Sequence, residues 1–401
     1  MLRTQLPVYS PLSLGSILAG WKASVLPDRD ATAAVRDLIA AKFGAGESLL
    51  TDSGTAALTL ALRGLCRIES RSLVALPAYG CYDIATAADG ADAEVVLYDL
   101  DPKTLGPEAG SLRAALEHKP AAVVLAHLYG IPVDIGPIVE LCGEHGASVI
   151  EDAAQGHGAR YDGMPLGTFG TVAILSFGRG KGVTGGSGGA LLTSQPSGVQ
   201  LLRRAAGELR SQRRGVKQLL GATAQWVLGS PRMYGIPASL PFLRLGETIY
   251  RDAVPPGSIS STAAAVLSRS WAAAERESWH RKQNASRLLQ YVERSDALDS
   301  IGPPPRGEPG YLRLPLLAAE RAVTALASAR ARRLGVMPGY PMALADLPSF
   351  SERCRNRSAE FTGARTLAAR LFTAPTHSRL SARDFACLET LLSSTNQRTD
   401  A

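Results

Sequence analysis

The sequence has few cysteines, no long apolar run and no export signal. Its five cysteines are scattered through 401 residues without a CxxC pair, which argues against a disulfide framework and against a zinc site. The sequence has no run of about 18 consecutive apolar residues, so it predicts no membrane helix. The first residues lack a basic segment followed by an apolar stretch and a small-residue cleavage site. We therefore expect a cytoplasmic protein without a bound metal.

Charge is mildly unbalanced, and lysine is scarce. Lys and Arg total 43 against 36 Asp and Glu, which gives a formal net charge of +7, and only seven of the 43 are lysines. Residues 202–217 hold six basic side chains and one acidic one, and they predict a basic helix that leads into an apolar one. This helix is either a solvated face, a contact for an anionic membrane surface, or a contact for an acidic substrate. Without interleaved aromatics or a recognition motif, nucleic-acid binding is not expected.

Residues 46–195 alternate short aliphatic runs with amphipathic segments. The aliphatic runs lie at 48–52, 72–77, 93–101, 121–130, 147–155 and 172–178, and most are separated by stretches with apolar residues three or four apart. Near-continuous apolar strands separated by helices predict a parallel sheet covered on both faces. The ligand of such an α/β domain should lie at the carboxyl ends of the strands.

The remaining sequence predicts a second, smaller domain. Residues 200–250 have fewer glycines and more arginines, and they indicate a helical excursion with proline-containing turns. From residue 259 onward, a long helix pattern, a proline-rich strand region and further helices indicate an α+β unit. We predict an N-terminal arm and a large α/β domain over residues 1–258, and a small C-terminal α+β domain over residues 259–401.

Lys181 lies in the glycine-rich segment LSFGRGKGVTGGSGGALLT, directly after an aliphatic run. Glycine permits turns that bring a backbone close to a ligand. A lysine amine can also attack a carbonyl to form a Schiff base. A phosphate-binding loop is the rival interpretation, but GxxxxGK[ST] is not matched because Gly182 follows the lysine.

Two further segments carry candidate ligand contacts. Ser53, Gly54 and Thr55 join a strand run to a helix run. Hydroxyls and free N–H groups at a helix N-terminus form an anion site, although an ordinary N-cap would explain the same residues. Asp152 ends a strongly apolar strand, where a buried carboxylate needs a partner such as a protonated pyridine nitrogen. Capping of the next turn is the alternative.

In this order and spacing, the segments resemble the DegT/StrS-type family of fold type I pyridoxal-phosphate aminotransferases, whose best-known members aminate keto groups of nucleotide-linked sugars. The resemblance extends over residues 25–390. It rests on SGTAAL, PAYGCYDIATAA, DLDPKTL, HLYGIPVDIGPIVELCGEHGASVIEDAAQGHGARYDG, LSFGRGKGVTGGSGGALLT, GVMPGYPMAL and APTHSRLSARDF. It implies a three-layer αβα large domain with a mostly parallel sheet, a smaller α+β domain, pyridoxal 5'-phosphate as cofactor, and a homodimer with its active site at the subunit interface.

The resemblance also implies roles for individual residues. Lys181 would form a Schiff base with the cofactor and later move the proton between substrate and cofactor. Asp152 would keep the pyridine nitrogen protonated, so that the ring can act as an electron sink. Gln155 would contact the ring or its 3-oxygen. Three residues with small or hydroxyl-bearing side chains would hold the phosphate: Gly54, Thr55 and Ser176.

The sequence departs from the family pattern around this site. Cys81 stands where an aromatic residue usually stacks on the cofactor ring, so we assign the stacking to Tyr82, with Tyr79 as the alternative. Gly182 stands where sugar-modifying members usually carry asparagine, and no NYRM-like stretch precedes the long helix. These departures predict a remodelled acceptor pocket with two candidate substrate contacts, Arg179 and Tyr340.

We therefore expect an aminotransferase. It would take an amino group from a donor, commonly glutamate in this family, and pass it to a keto group of a nucleotide-linked sugar or a related intermediate. A lyase, dehydratase or decarboxylase that uses the same cofactor is one alternative, and a non-catalytic binding protein is another. Lys181 argues against the dehydratase branch, in which some relatives carry histidine at this place.

Overall fold

A seven-stranded β-sheet forms the centre of the protein in a computed structural model that describes residues 3–26, 29–211, 215–240 and 248–395. In chain order, the strands are β1 (Glu47–Thr51), β2 (Leu73–Pro77), β3 (Glu94–Tyr98), β4 (Ala122–Ala126), β5 (Ser148–Asp152), β6 (Arg160–Tyr161), β7 (Met164–Pro165), β8 (Val172–Ser176), β9 (Gly189–Thr193), β10 (Leu298–Ser300), β11 (Gly307–Glu308), β12 (Leu314–Ala318), β13 (Met337–Pro338) and β14 (Leu371–Ala374).

The helices surround this sheet. In chain order, they are α1 (Leu14–Val25), α2 (Arg29–Phe43), α3 (Gly54–Glu69), α4 (Tyr82–Ala91), α5 (Ala109–Glu117), α6 (Ile135–Glu144), α7 (Pro196–Ala206), α8 (Val216–Leu228), α9 (Gly235–Ala238), α10 (Ser261–Val292), α11 (Glu320–Leu326), α12 (Ala329–Arg333), α13 (Thr362–Arg370) and α14 (Ala382–Ser394). None of these described helices is long and apolar enough to cross a membrane.

The central sheet has the order β1-β9-β8-β5-β4-β2-β3 and is mostly parallel, as the sequence predicts. Strands β3, β2, β4, β5 and β8 run parallel to one another, and β9 runs antiparallel to both of its neighbours. Each of the six aliphatic runs matches one strand to within one residue at the start of the strand. The interior strand β2 is buried along its whole length because helices cover both faces, which is why the run LVALP shows no alternation.

Strand β9 is missing from the sequence-based prediction, which treats GGALLT as part of the glycine-rich lysine segment. Its first residue, Gly189, packs so closely that a Cβ there would lie 2.4 Å from the Ser53 carbonyl oxygen. Glycine is therefore a packing requirement at this strand end, although in sequence it is more typical of a loop.

The C-terminal part contains a second sheet, with the antiparallel order β10-β12-β14-β13. The 32-residue helix α10 precedes it and packs against α1 and α2. Strand β11 pairs with β6, so a strand from beyond residue 258 joins the hairpin that follows β5.

The prediction of one basic helix across residues 202–217 is wrong. Helix α7 ends at Ala206 and α8 begins at Val216, with described non-helical residues between them. Glu208, the acidic residue of the run, forms ion pairs with Arg63 and Arg67. Three of the basic side chains are exposed on the two helices, Arg203, Arg204 and Lys217. Arg213 and Arg214 lie outside the described residues, and a membrane or acidic-substrate contact here stays a prediction.

Candidate active site

A cavity lies at the carboxyl ends of β5 and β8, beside the N-terminus of α3. Six sequence-predicted residues line it together: Gly54, Thr55, Asp152, Gln155, Ser176 and Lys181. They come from three separate stretches of the chain. Parallel strands end at the same edge of a sheet, so the topology places the β5 and β8 residues side by side.

The turn between β1 and α3 forms one wall of the cavity. Ser53 is the N-cap of α3, since its Oγ accepts a hydrogen bond of 3.1 Å from the Ala56 N–H. Gly54 lies so close to β8 that a Cβ there would be 2.8 Å from the Ser176 Cβ and 3.0 Å from its Oγ. The hydroxyls of Thr55 and Ser176 donate to no residue within the described ranges. Two free hydroxyls beside a helix N-terminus are suited to a phosphate group.

Asp152 supplies a carboxylate at the end of β5. Its Oδ1 accepts a hydrogen bond of 3.0 Å from the Ala154 N–H. Burial raises the pKa of this carboxyl, while the Ala154 N–H and the Lys181 ammonium act in the opposite direction. A protonated ring nitrogen at this position would supply a further cationic partner, so the residues fit pyridoxal phosphate at both its phosphate and its nitrogen.

His127 and Glu151, which are not among the sequence-predicted site residues, form a buried pair next to Asp152, and His127 also lines the cavity. The Val133 N–H donates to His127 Nδ1 at 3.1 Å, so the imidazole carries its proton on Nε2, which lies 3.1 Å from Glu151 Oε1. Glu151 also accepts the backbone N–H of Phe169 at 2.8 Å and that of Gly170 at 3.2 Å. The pair anchors the segment before β8 and the segment after β4.

Lys181 lies in the connection between the antiparallel strands β8 and β9. Thr184 Oγ1 links the two ends of this connection, because it donates a hydrogen bond to the Phe177 carbonyl at 3.0 Å and accepts one from the Gly186 N–H at 2.9 Å. The Ser10 hydroxyl, from the N-terminal arm, donates to the Lys181 carbonyl. A Cβ on Gly182 would lie 2.6 Å from the His157 Cβ. Close packing of His157 thus explains glycine at this departure from the family pattern.

Gln155 is held at both ends of its amide. Its Oε1 accepts the Tyr129 N–H at 2.9 Å, and its Nε2 donates to the Tyr340 hydroxyl at 2.8 Å. The Tyr340 ring stacks on the Tyr129 ring with centroids 5.8 Å apart. The backbone N–H of Tyr340 donates to the Tyr79 hydroxyl at 2.8 Å. Tyr340 thus reaches the cavity through Gln155 and is absent from the described lining residues.

The structure does not bring Tyr82 to the cavity. Cys81 lines the cavity as the N-cap of α4, whereas Tyr82 begins the helix and packs into the hydrophobic core. Tyr79, the alternative, is fully buried and is not among the described residues that line the cavity. Burial and the Asp83 carboxylate raise the pKa of the Cys81 thiol to about 12, so it is a neutral wall of the site. Arg179 is exposed, two residues before Lys181.

Comparison with known proteins matches this chain to one family. Residues 30–388 fit the model of the DegT/DnrJ/EryC1/StrS aminotransferase family. The chain belongs to this family. A relative from Streptomyces kanamyceticus, described as an L-glutamine:2-deoxy-scyllo-inosose aminotransferase, is 38% identical over 144 residues, which are 36% of this chain and 34% of that protein. The matched stretch spans about a third of the length of the first curated relatives.

Solved structures of other aminotransferases share the whole fold. PseC from Helicobacter pylori, an aminotransferase involved in the biosynthesis of pseudoaminic acid, has a TM-score of 0.78 at 14% identity and covers 98% of this chain and 99% of its own. The sugar aminotransferase CalS13 from Micromonospora echinospora has a TM-score of 0.75 at 19% identity and covers 98% of this chain and 100% of its own. The predicted fold type I architecture is confirmed.

Proposed function

We propose that this family member is a pyridoxal-phosphate aminotransferase that moves an amino group from glutamate or glutamine to a keto group on a sugar or cyclitol. Membership of an aminotransferase family supports the reaction type. The inosose aminotransferases among the relatives support a polyhydroxylated ring as acceptor and glutamine as one donor. The notion of glutamate as donor rests on the family resemblance.

One observation carries the proposal: a lysine, a buried carboxylate and a phosphate-suited turn line the same cavity. Lys181, Asp152, Thr55 and Ser176 come from different parts of the chain and meet only in the fold. A non-catalytic binding protein would not need a lysine amine and a buried carboxylate in the same cavity. Their combination is what transamination requires.

Each residue has a separate task in this proposal. When bound, pyridoxal phosphate supplies an electron sink for the carbon that bears the amine. Asp152 would pair with the ring nitrogen, and the N-terminus of α3 with Thr55 and Ser176 would hold the phosphate. Lys181 Nζ would take the proton from the substrate carbon and return it, because it is the amine among the described lining residues.

The test is a pair of half-reactions on purified protein. Wild-type protein mixed with pyridoxal phosphate should gain a visible absorbance that Lys181→Ala loses. Glutamate or glutamine should then remove this absorbance and release the corresponding 2-oxo acid, without a keto acceptor. Release of ammonia or carbon dioxide from a trial substrate would instead favour the lyase and decarboxylase alternatives. A protein that binds no cofactor would support the non-catalytic alternative.

We also propose that the enzyme works as a homodimer. Helix α1 exposes Leu14, Leu18, Trp21 and Val25, whose spacing of three and four residues places them along one stripe of the helix. Helix α8 packs against α1 and exposes Val216, Leu220 and Val227. Two neighbouring apolar faces on a protein surface are typical of a subunit interface. A second copy of this chain is the occupant expected from the family.

A further inference from the structure

Arg313 lies just before β12, next to the tyrosines that hold Gln155. Its backbone N–H points to the Tyr129 carbonyl at 3.4 Å. Its Nη2 donates to the carbonyl oxygens of Gly335 at 3.3 Å and Thr373 at 3.2 Å. These contacts fix the guanidinium against backbone at the entrance to the second sheet. They occupy only one of its three nitrogens.

The guanidinium has no acidic partner in the part of the chain that the structure describes. Its Nε is buried without a hydrogen-bond acceptor, and Nη1 donates to no described residue. The groups that interact with its charge are the phenols of Tyr129, Tyr340 and Tyr234. Other arginines of the fold, such as Arg353 and Arg365, form ion pairs with carboxylates. A largely buried cation without an anion costs free energy, unless a ligand supplies the anion.

The position of Arg313 connects it with the lysine loop as well as with the cavity. Tyr340 links it to Gln155 on one side. Tyr234, just before α9, lies within electrostatic reach of both Arg313 and Arg179. Arg179 precedes Lys181 by two residues, is exposed, and forms no hydrogen bond or ion pair with any described residue. Arg313 is thus connected with the cavity through Tyr129, whose N–H donates to Gln155, and Arg179 through its position two residues before the cavity-lining Lys181.

We propose that Arg313 and Arg179 form a subsite for an oxyanion of the substrate. Guanidinium groups bind carboxylates and phosphates through paired, charge-assisted hydrogen bonds, and both arginines have N–H groups available for this. The anion is either the carboxylate of the amino donor or a phosphate on the keto acceptor. This subsite deepens the proposed function and rests on it.

Calorimetric titration of the cofactor-loaded protein tests the subsite independently of turnover. Glutarate represents the donor carboxylate, and inorganic pyrophosphate represents an acceptor phosphate. If the donor uses the subsite, Arg313→Gln should weaken glutarate binding about 10- to 100-fold, the loss expected for a charge-assisted pair. If the acceptor uses it, pyrophosphate binding should weaken instead. Arg321→Gln is the control, because Arg321 is exposed and pairs with Asp296 at 3.0 Å.

Arg179→Gln provides a second variant that is not buried, so it keeps the test valid even if Arg313→Gln unfolds. This variant should weaken binding of the same anion that Arg313→Gln weakens. Equal affinities in wild type and both variants, or no binding of either anion to wild type, would overturn the subsite. The proposed function fails separately, if no amino donor converts the cofactor of wild-type protein. Conversion by wild type and by both variants with equal KM would leave the function intact and refute only the subsite.

Discussion

Replacing Gly54 with alanine should separate the first turn of α3 from the end of β8. The added Cβ would lie 2.8 Å from the Ser176 Cβ and 3.0 Å from its Oγ, so one of the two elements must move by about half an ångström. Overpacking of this kind costs about 1–3 kcal/mol. The loss of glycine freedom in the unfolded chain offsets about 0.4–1 kcal/mol of it. We expect a net loss of about 1 kcal/mol in the free energy of unfolding.

The effect on the cofactor should exceed the effect on stability. The shifted turn carries the Gly54 and Thr55 groups proposed to hold the phosphate, and we expect the Kd for pyridoxal phosphate to rise about tenfold or more, which corresponds to about 1.4 kcal/mol. Spectrophotometric titration measures the affinity, and urea unfolding measures the stability. Gly143→Ala is the control, because a Cβ on that glycine meets no atom within 4 Å.

A double variant makes the reasoning refutable. Ser176→Gly removes both atoms that the new Cβ would strike, at the expense of one hydroxyl. Adding Gly54→Ala to Ser176→Gly should therefore cost little further affinity or stability. An equal cost in both backgrounds would show that the close approach between Gly54 and Ser176 is not the cause. Unchanged affinity of Gly54→Ala alone would show that this turn does not hold the cofactor.

Three further predictions concern other parts of the fold. His377 is buried, and its Nε2 lies against the Leu6 carbonyl. Burial lowers its pKa to about 4, whereas in the unfolded chain the pKa is about 6.5. The contribution of neutral His377 to stability is therefore complete above about pH 6.5 and is lost at about 1.4 kcal/mol per pH unit as the pH falls toward 4. His377→Gln should flatten this part of the pH profile of stability, measured by urea unfolding. A profile parallel to that of the wild type would contradict this prediction. Gly182→Asn, which restores the residue usual in sugar-modifying relatives, should lower the rate of the donor half-reaction at least tenfold because its Cβ would strike His157; wild-type rates would refute this packing argument. Leu18→Glu should shift the protein from dimer to monomer in light scattering, whereas an unchanged mass would exclude α1 from the interface.

Six residues that line the cavity were predictable from the sequence. The strand runs, the helix that starts at Gly54, Asp152 at a strand end and Lys181 in its glycine-rich segment are local patterns, and parallel strands bring such ends together. The stacking position was less predictable. Cys81 and Tyr82 are neighbours in the sequence, and only the start of α4 between them decides which side chain faces the cavity.

The sequence by itself determined the order of the elements and six residues that line the cavity, because hydrophobic periodicity and glycine placement act over short distances. Tertiary structure decided everything that depends on distant segments. It made Gly189 part of a strand, divided the basic run between α7 and α8, and excluded a side chain from Gly182 by packing His157 against it. It also placed Arg313 beside the tyrosines of the site. No local pattern marks that arginine, since only the fold shows that none of the described residues supplies a counter-ion.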